Sequence, residues 1–286
     1  MLEVDDIAYS REATIGAVRD YYQFLVELYL DDSEIIEPPK GGWPAISREF
    51  QHFFGKSDEV IALLRDLPYI RENSPIPTRN DPPQGSSSCY WADWQKLAAD
   101  SAEAANAGED MGEFGENLKG MSELWLEDVL DHVVGLTFGD SYNAHTFLLD
   151  TKFGVVHRPD SCGGGHHQAN VDNDPSFIEP VWGVDEHAPE NEEWRSSSPA
   201  WSIPDFFKLL KKQYRELKWI PINTREVINS KMIYAPPQEG TIPMLQGIFR
   251  QHGWASEEGG IYRKRECLAA VKAALEEHFP TFENYD

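Results

Sequence analysis

The thirteen residues TFLLDTKFGVVHR, 146–158, admit few conformations. Two short apolar runs flank DTKFG, and Gly154 supplies the backbone freedom that a tight return needs, so the stretch predicts an antiparallel hairpin. With TKFG as a four-residue connection, Asp150 faces Val155 and Leu148 faces His157. His145 and His157 then lie on opposite faces, because side chains alternate along a strand. With TKF alone as the loop and Gly154 at a bulge, Phe147 faces His157 and the two histidines share a face. Either register sends Leu148 or Leu149 into a core.

Helical patterns lie on both sides of this hairpin. Residues 12–30 place Ile15, Val18, Tyr22, Leu25 and Leu28 on one face. Ser57 is placed to cap a second helix, DEVIALLRDL, with Asp58 and Glu59 in its first turn and Pro68 as its stop. WADWQKLAADSAEAANAG predicts a third helix, and the glycine-bearing GEDMGEFGENLKG after it reads as loop. Late in the chain, Ser202 caps WSIPDFFKLLKKQYREL with Pro204 in the first turn, and Phe206, Phe207, Leu210, Tyr214 and Leu217 form its apolar stripe. Two more helices close the chain, IPMLQGIFRQHGW, ended at Gly253, and YRKRECLAAVKAALEEHF. Strand-like material concentrates between 121 and 158, with SFIEPVWGV as one further candidate. Residues 71–88 and 159–200 have the proline, glycine and serine content of surface loops.

This pattern predicts an α+β fold with a central, mainly antiparallel sheet flanked by helices, not alternating βαβ units. The domain expected is 1–220, with loop inserts at 71–90 and 159–200. Residues 221–286 are expected to form a helical extension packed on that domain.

Charge narrows the function classes. Aspartate and glutamate total 49 against 25 lysines and arginines, a formal charge of −24. Such a field repels phosphate backbones and anionic bilayers, which argues against nucleic acid and membrane as partners and favours a protein with a basic surface. The alternative is that the excess is only a solubilising coat. Cys89, Cys162 and Cys267 are odd in number and widely spaced, which fits a reducing compartment. The first residues lack the basic and apolar regions of a signal peptide, and no apolar stretch reaches the length of a membrane span. A cytoplasmic location is the expectation.

Three kinds of chemistry deserve weighing. FGDSYNA, with Ser141, resembles the first block of GDSL-type esterases, but a serine nucleophile needs a base and oxyanion donors. That family takes its base from a late DxxH block, and none follows Ser141 here. The segment HRPDSCGGGHHQANVDND offers His157, Asp160, Cys162, His166, His167, Asp172 and Asp174 as metal ligands. No HExxH, paired cysteines or calcium-loop order fixes their geometry, so a polar loop is the simpler reading and neither metal nor cofactor is expected. CGGGHH matches neither phosphate-loop nor dinucleotide-binding glycines. Finally, WGVDEHAPENEEWRSSSPAW sets Trp182, Trp194 and Trp201 among acids. Such rings either anchor a partner or pin the segment onto its own domain. If they serve recognition, Trp182, Trp194, Glu190, Glu192 and Glu193 are the candidate contact residues.

Taken in order, YYQFLVELYL, then GDSYNAHTFLLDTKFGVVH with its "xxLD" strand and "GxV" return, then WSIPDFFKLLKKQYREL, resemble the SUKH superfamily. That superfamily includes the Smi/Knr-like regulators of fungal cell-wall synthesis and many bacterial toxin-immunity proteins. The resemblance covers 120–220 best, 12–70 less closely, and not the C-terminal helices. GGWPAI, DEVIALLRDLPYI and RKRECLAAV are similar to segments of fungal proteins that carry this domain. It implies an α+β fold and binding of protein partners, with no catalytic residue to carry over. The long insert at 159–200 departs from compact members.

Overall fold

The computed structural model describes residues 7–72, 90–123, 129–138, 146–159, 193–196, 198–230, 240–254 and 261–279. Helix α1 (Arg11–Leu28) starts where Ser10 Oγ accepts from Ala13 N, and it buries Val18, Tyr21, Tyr22, Phe24, Leu25 and Leu28. Helix α7 (Ile203–Arg215) begins the same way, with Ser202 Oγ accepting from Asp205 N, and lies against α1. Their shared seam is aromatic. Tyr21 stands 5.3 Å from Phe207 and 5.4 Å from Trp91, ring centre to ring centre, separations at which offset and edge contacts are favourable.

Beneath this helix pair runs an antiparallel sheet of β4 (Val133–Gly135), β6 (Leu148–Asp150), β7 (Val155–His157) and β8 (Ala200–Ser202), in that spatial order. The α+β expectation is the fold observed. The hairpin takes the register of the four-residue connection, with Leu148 opposite His157 and Asp150 opposite Val155. Gly154 holds φ at +69° in the turn, a conformation that a Cβ would strain. Past β4 the ladder continues through Leu136, whose N–H donates to Phe147 O and whose carbonyl accepts from Ala92 N. It then pairs β5 (Thr137–Phe138) with β3 (Tyr90–Trp91). Two further antiparallel pairs lie outside this ladder: β1 (Ile35–Ile36) with β2 (Tyr69–Ile70), and β9 (Trp219–Pro221) with β10 (Val227–Asn229).

Alternation gives the sheet two faces of different character. Val134, Leu149, Val156 and Trp201 enter the main apolar core with Phe206 and Phe207. Val133, Leu148, Val155 and Ala200 point the other way; they are buried too, but outside that core. Asp150 and His157 belong to this second face.

The segment GEDMGEFGENLKG forms helix α5 (Met111–Ser122), where the sequence reads as loop. Asp110 Oδ1 caps it by accepting from Gly112 N and Glu113 N. Its glycines serve contact instead of turning: a Cβ at Gly115 would stand 2.6 Å from Phe53 O, on α2 (Arg48–Phe54). Glu123, just past α5, forms a buried ion pair with Lys56, which ties α5 to the link before α3 (Asp58–Asp66). Helix α4 (Trp94–Ala107) packs on α2, α3 and α5.

The boundary expected at 220 falls inside β9, and the region after it contributes β10 as well as α8 (Thr241–Gln251) and α9 (Lys264–His278). These C-terminal elements satisfy helix ends elsewhere. Tyr262 Oη donates to Leu28 O, and Lys264 Nζ donates to Val26 O and Leu30 O at 2.6 Å each. Trp254 Nε1 donates to Tyr214 O in the last turn of α7. Carbonyls in a helix's last turn lack intrahelical partners, so the late segments complete the early helix.

Gly135 sits on β4 where the end of α5 crosses the sheet. An added methyl would meet the Ser122 carbonyl and lie 2.8 Å from Ser122 Cβ. Gly135→Ala is therefore expected to lower the urea midpoint, with a loss of about 1–3 kcal/mol. An unchanged midpoint would contradict this packing.

Candidate functional site

On the second face of the sheet, four side chains from three distant segments converge. Asp150 ends β6, His157 ends β7, His132 lies in the turn before β4, and Arg195 comes from the short helix α6 (Glu193–Ser196). Asp150 and Arg195 are fully buried and His157 is 1 % exposed. The register explains the first pairing: with Asp150 opposite Val155, His157 is its diagonal neighbour on the same face.

Arg195 Nη2 donates to Asp150 Oδ2 at 2.6 Å and meets His132 Nε2 at 2.9 Å. A guanidinium only donates, so His132 accepts at Nε2. The imidazole is thus neutral, with its proton on Nδ1, 3.5 Å from Asp131 Oδ1. The other Asp150 oxygen accepts from Lys152 N at 2.9 Å and Phe153 N at 3.1 Å, closing the hairpin turn. His157 Nε2 lies 3.6 Å from Asp150 Oδ2, an ion-pair separation beyond hydrogen-bond length. The Arg195 guanidinium is held between the Phe153 and Trp194 rings, each 5.3 Å away. Trp194 is half-buried, with its ring edge-on to His157 at 5.2 Å.

Burial pushes both imidazoles below the ordinary histidine value of 6.5. Asp150 pulls the other way in each, while the Arg195 charge adds to the depression. Burial also pushes Asp150 up, but His157, Arg195 and His132 together outweigh it and hold its carboxyl below the ordinary 3.8.

Two imidazoles and a carboxylate form a donor set that zinc or iron accepts elsewhere. Here Arg195 Nη2 occupies the ground between Asp150 and His132, so the positive charge is a guanidinium and a metal ion does not fit. Among the described residues no group of three or more such donors is arranged to hold a metal ion. The cluster holds no serine, threonine, cysteine or lysine that could act as a nucleophile, and its groups are turned on one another. Burial pushes the Cys267 thiol up to about 11, away from the thiolate that attacks.

Of the candidate residues from the sequence, His157 lies in this cluster as a strand residue. Trp194 packs beside it and Glu193 opens α6. Trp201 is fully buried in β8. Ser141, Asp160, Cys162, His166, His167, Asp172, Asp174, Trp182, Glu190 and Glu192 lie outside the described residues, as does SFIEPVWGV. Sequence reasoning missed Asp150, His132 and Arg195 as a unit. The signal within reach was the four-residue hairpin register, which sets Asp150 and His157 on one face.

No family model matches the sequence, and none of the curated proteins or solved structures compared with it matches.

Breaking the pair at one end leaves a buried charge alone. Arg195→Met is expected to cost about 3–5 kcal/mol, with Asp150→Leu in the same chain restoring part of it; a double-mutant cycle in urea measures both. A null effect of Arg195→Met would contradict the buried pair. The pH dependence has a definite sign. Because both histidines bind protons less readily folded than unfolded, their contribution is complete above the ordinary 6.5 and is lost as pH falls below it. The contribution of Asp150 persists further, and falls away below the ordinary 3.8. Stability should therefore be level from pH 8 to 7 and decline from 6.5 downwards; a flat profile from pH 7 to 5 would count against it.

Proposed function

We propose that the chain is a non-catalytic protein-binding or regulatory module of the SUKH, Smi/Knr-like type. The resemblance supplies the class. The single observation that carries the mode of action is the way the two feet of an acidic segment are joined on the sheet. Arg158 N donates to Pro199 O at 2.9 Å, and the Arg195–Asp150 pair fixes the descending foot. Between these feet, residues 160–192 carry eight aspartates and glutamates and no lysine or arginine. A segment of that composition, held at both ends by a rigid sheet, suits a partner with a basic surface. Trp182 and Trp194 would supply apolar anchors, with Glu190, Glu192 and Glu193 supplying the attracting charge. Neither nucleic acid nor a membrane fits this charge, and no helix among the described residues is long and apolar enough to cross a bilayer.

The test is kinetic. A partner identified by crosslinking to the native chain should associate several-fold more slowly when ionic strength is raised from about 0.01 M to 0.15 M, where the screening length shortens from about 30 Å to 8 Å. Dissociation should change less. Replacing Glu190, Glu192 and Glu193 by glutamine should weaken the salt response. A flat response, unaffected by those changes, removes the segment from the interface. Turnover of short acyl esters that disappears in Ser141→Ala would replace this reading with that of a hydrolase.

A further inference from the structure

We infer that the cavity where the first turns of α1 and α7 meet the turn of the β6–β7 hairpin binds a small, neutral, largely apolar molecule carrying one hydrogen-bond acceptor. The site lies apart from the acidic segment argued above, and its test needs no protein partner.

Three pieces of backbone build the cavity. Helices α1 and α7 both begin here, and residues 7–9 cross the hairpin turn at Gly154. A Cβ at Gly154 would stand 3.0 Å from Tyr9 N and 3.2 Å from Ile7 Cγ2, so only glycine lets the two segments lie this close. The crossing leaves a hollow of about 270 Å³ between residues 7–8, the turn and the two helices. Thr14, Gly154 and Ile203 are buried at its floor, whereas Ala8, Ser10, Ala13 and Pro204 are exposed at its rim, so it opens to solvent. The volume falls just below the roughly 300–1,000 Å³ of drug-sized pockets. A single-ring compound fits it.

The lining selects the chemistry. Charged residues make up 26% of the chain, yet none lines the cavity. Two helix starts in one place would suggest an anion seat, but the donors that face the hollow are spent. Ala13 N donates to Ser10 Oγ, Asp205 N to Ser202 Oγ and Ile203 N to Gly154 O, and Pro204 has no N–H. Each helix also carries its own carboxylate in the first turn, Glu12 in α1 and Asp205 in α7, which an added anion would meet. Two of the lining hydroxyls are turned on protein acceptors: Thr14 Oγ1 donates to Ser10 O at 2.8 Å and Ser202 Oγ to Asp205 Oδ2 at 2.7 Å. Ser10 Oγ accepts from Ala13 N and, among the described residues, donates to none. Its hydrogen is left for an acceptor on the ligand. Apolar walls with one orienting hydroxyl suit a ring or short chain that bears a carbonyl oxygen.

The probe is 4-fluoroacetophenone, a single ring with one ketone, added at millimolar concentration to the full chain labelled with nitrogen-15. Saturable amide shifts centred on Ala13, Thr14, Gly154 and Ile203 are expected. In the same assay 4-fluorobenzoate, of similar shape but charged, should bind more than about ten-fold more weakly, because its carboxylate would lose water without gaining a partner. The acceptor-free 4-fluorotoluene should bind several-fold more weakly than the ketone. Ala13→Leu fills the mouth from an exposed first-turn position where leucine suits a helix; it should abolish binding and leave distant amide resonances in place. Should that variant fold poorly, nuclear Overhauser contacts between the probe's ring protons and the Thr14 and Ile203 methyl groups of the wild type locate the ligand instead. The inference is overturned by the absence of saturable shifts, by shifts centred elsewhere, or by binding unchanged in a folded Ala13→Leu chain. Benzoate binding as tightly as the ketone overturns the neutral class, and toluene binding as tightly overturns the role of Ser10.

Discussion

Asp150 uses its two oxygens for two scales of structure. One oxygen accepts from Lys152 N and Phe153 N and so sets the turn of the hairpin; the other takes Arg195, 45 residues along the chain. A carboxylate without these donors would be costly at zero exposure. With them, a local turn and a distant segment are fixed by one charge. The pairing of β6 with β7 and the docking of α6 are therefore not independent. Disturbing the hairpin would misplace the acceptor for Arg195, and removing Arg195 would leave the turn built around a buried anion.

The sheet makes this arrangement possible because its two faces are covered by different means. One face is apolar and closed by α1 and α7, where burial of aromatic rings supplies the driving force. The other carries an acid and a histidine among valines and leucine, and meets a four-residue helix bearing Arg195 and Trp194. Hydrophobic packing is tolerant of small adjustments, whereas a buried polar cluster depends on partners and protonation states. The first face gives the fold its bulk, and the second gives one loop end a defined seat.

Much of the first face was legible in the sequence. Helical stripes in α1 and α7, the Ser57 and Ser202 caps and the existence of the hairpin follow from local chemistry, and local chemistry is what a single sequence displays; the choice between its two registers needed the structure. Helix α5 was not legible. Gly112, Gly115 and Gly120 read as loop residues, yet Gly115 serves close approach to Phe53 across to another helix, a demand invisible from its own neighbours. The short strands β8, β9 and β10 escaped for a related reason: each has three residues and takes its state from its partner. The polar cluster on the second face was harder still. Its members stand at 132, 150, 157 and 195, and only the fold brings them together. The candidates drawn from composition, the histidine-rich loop and the GDS serine, were chosen for proximity along the chain, a poor guide to proximity in space.

The donors that Tyr262 and Lys264 give to α1 lie 234 and more residues beyond the carbonyls they satisfy. On a ribosome adding about 5–20 residues per second, that separation means tens of seconds during which α1 exists without its final hydrogen-bond partners. Helix α1 is thus made long before the residues that complete it.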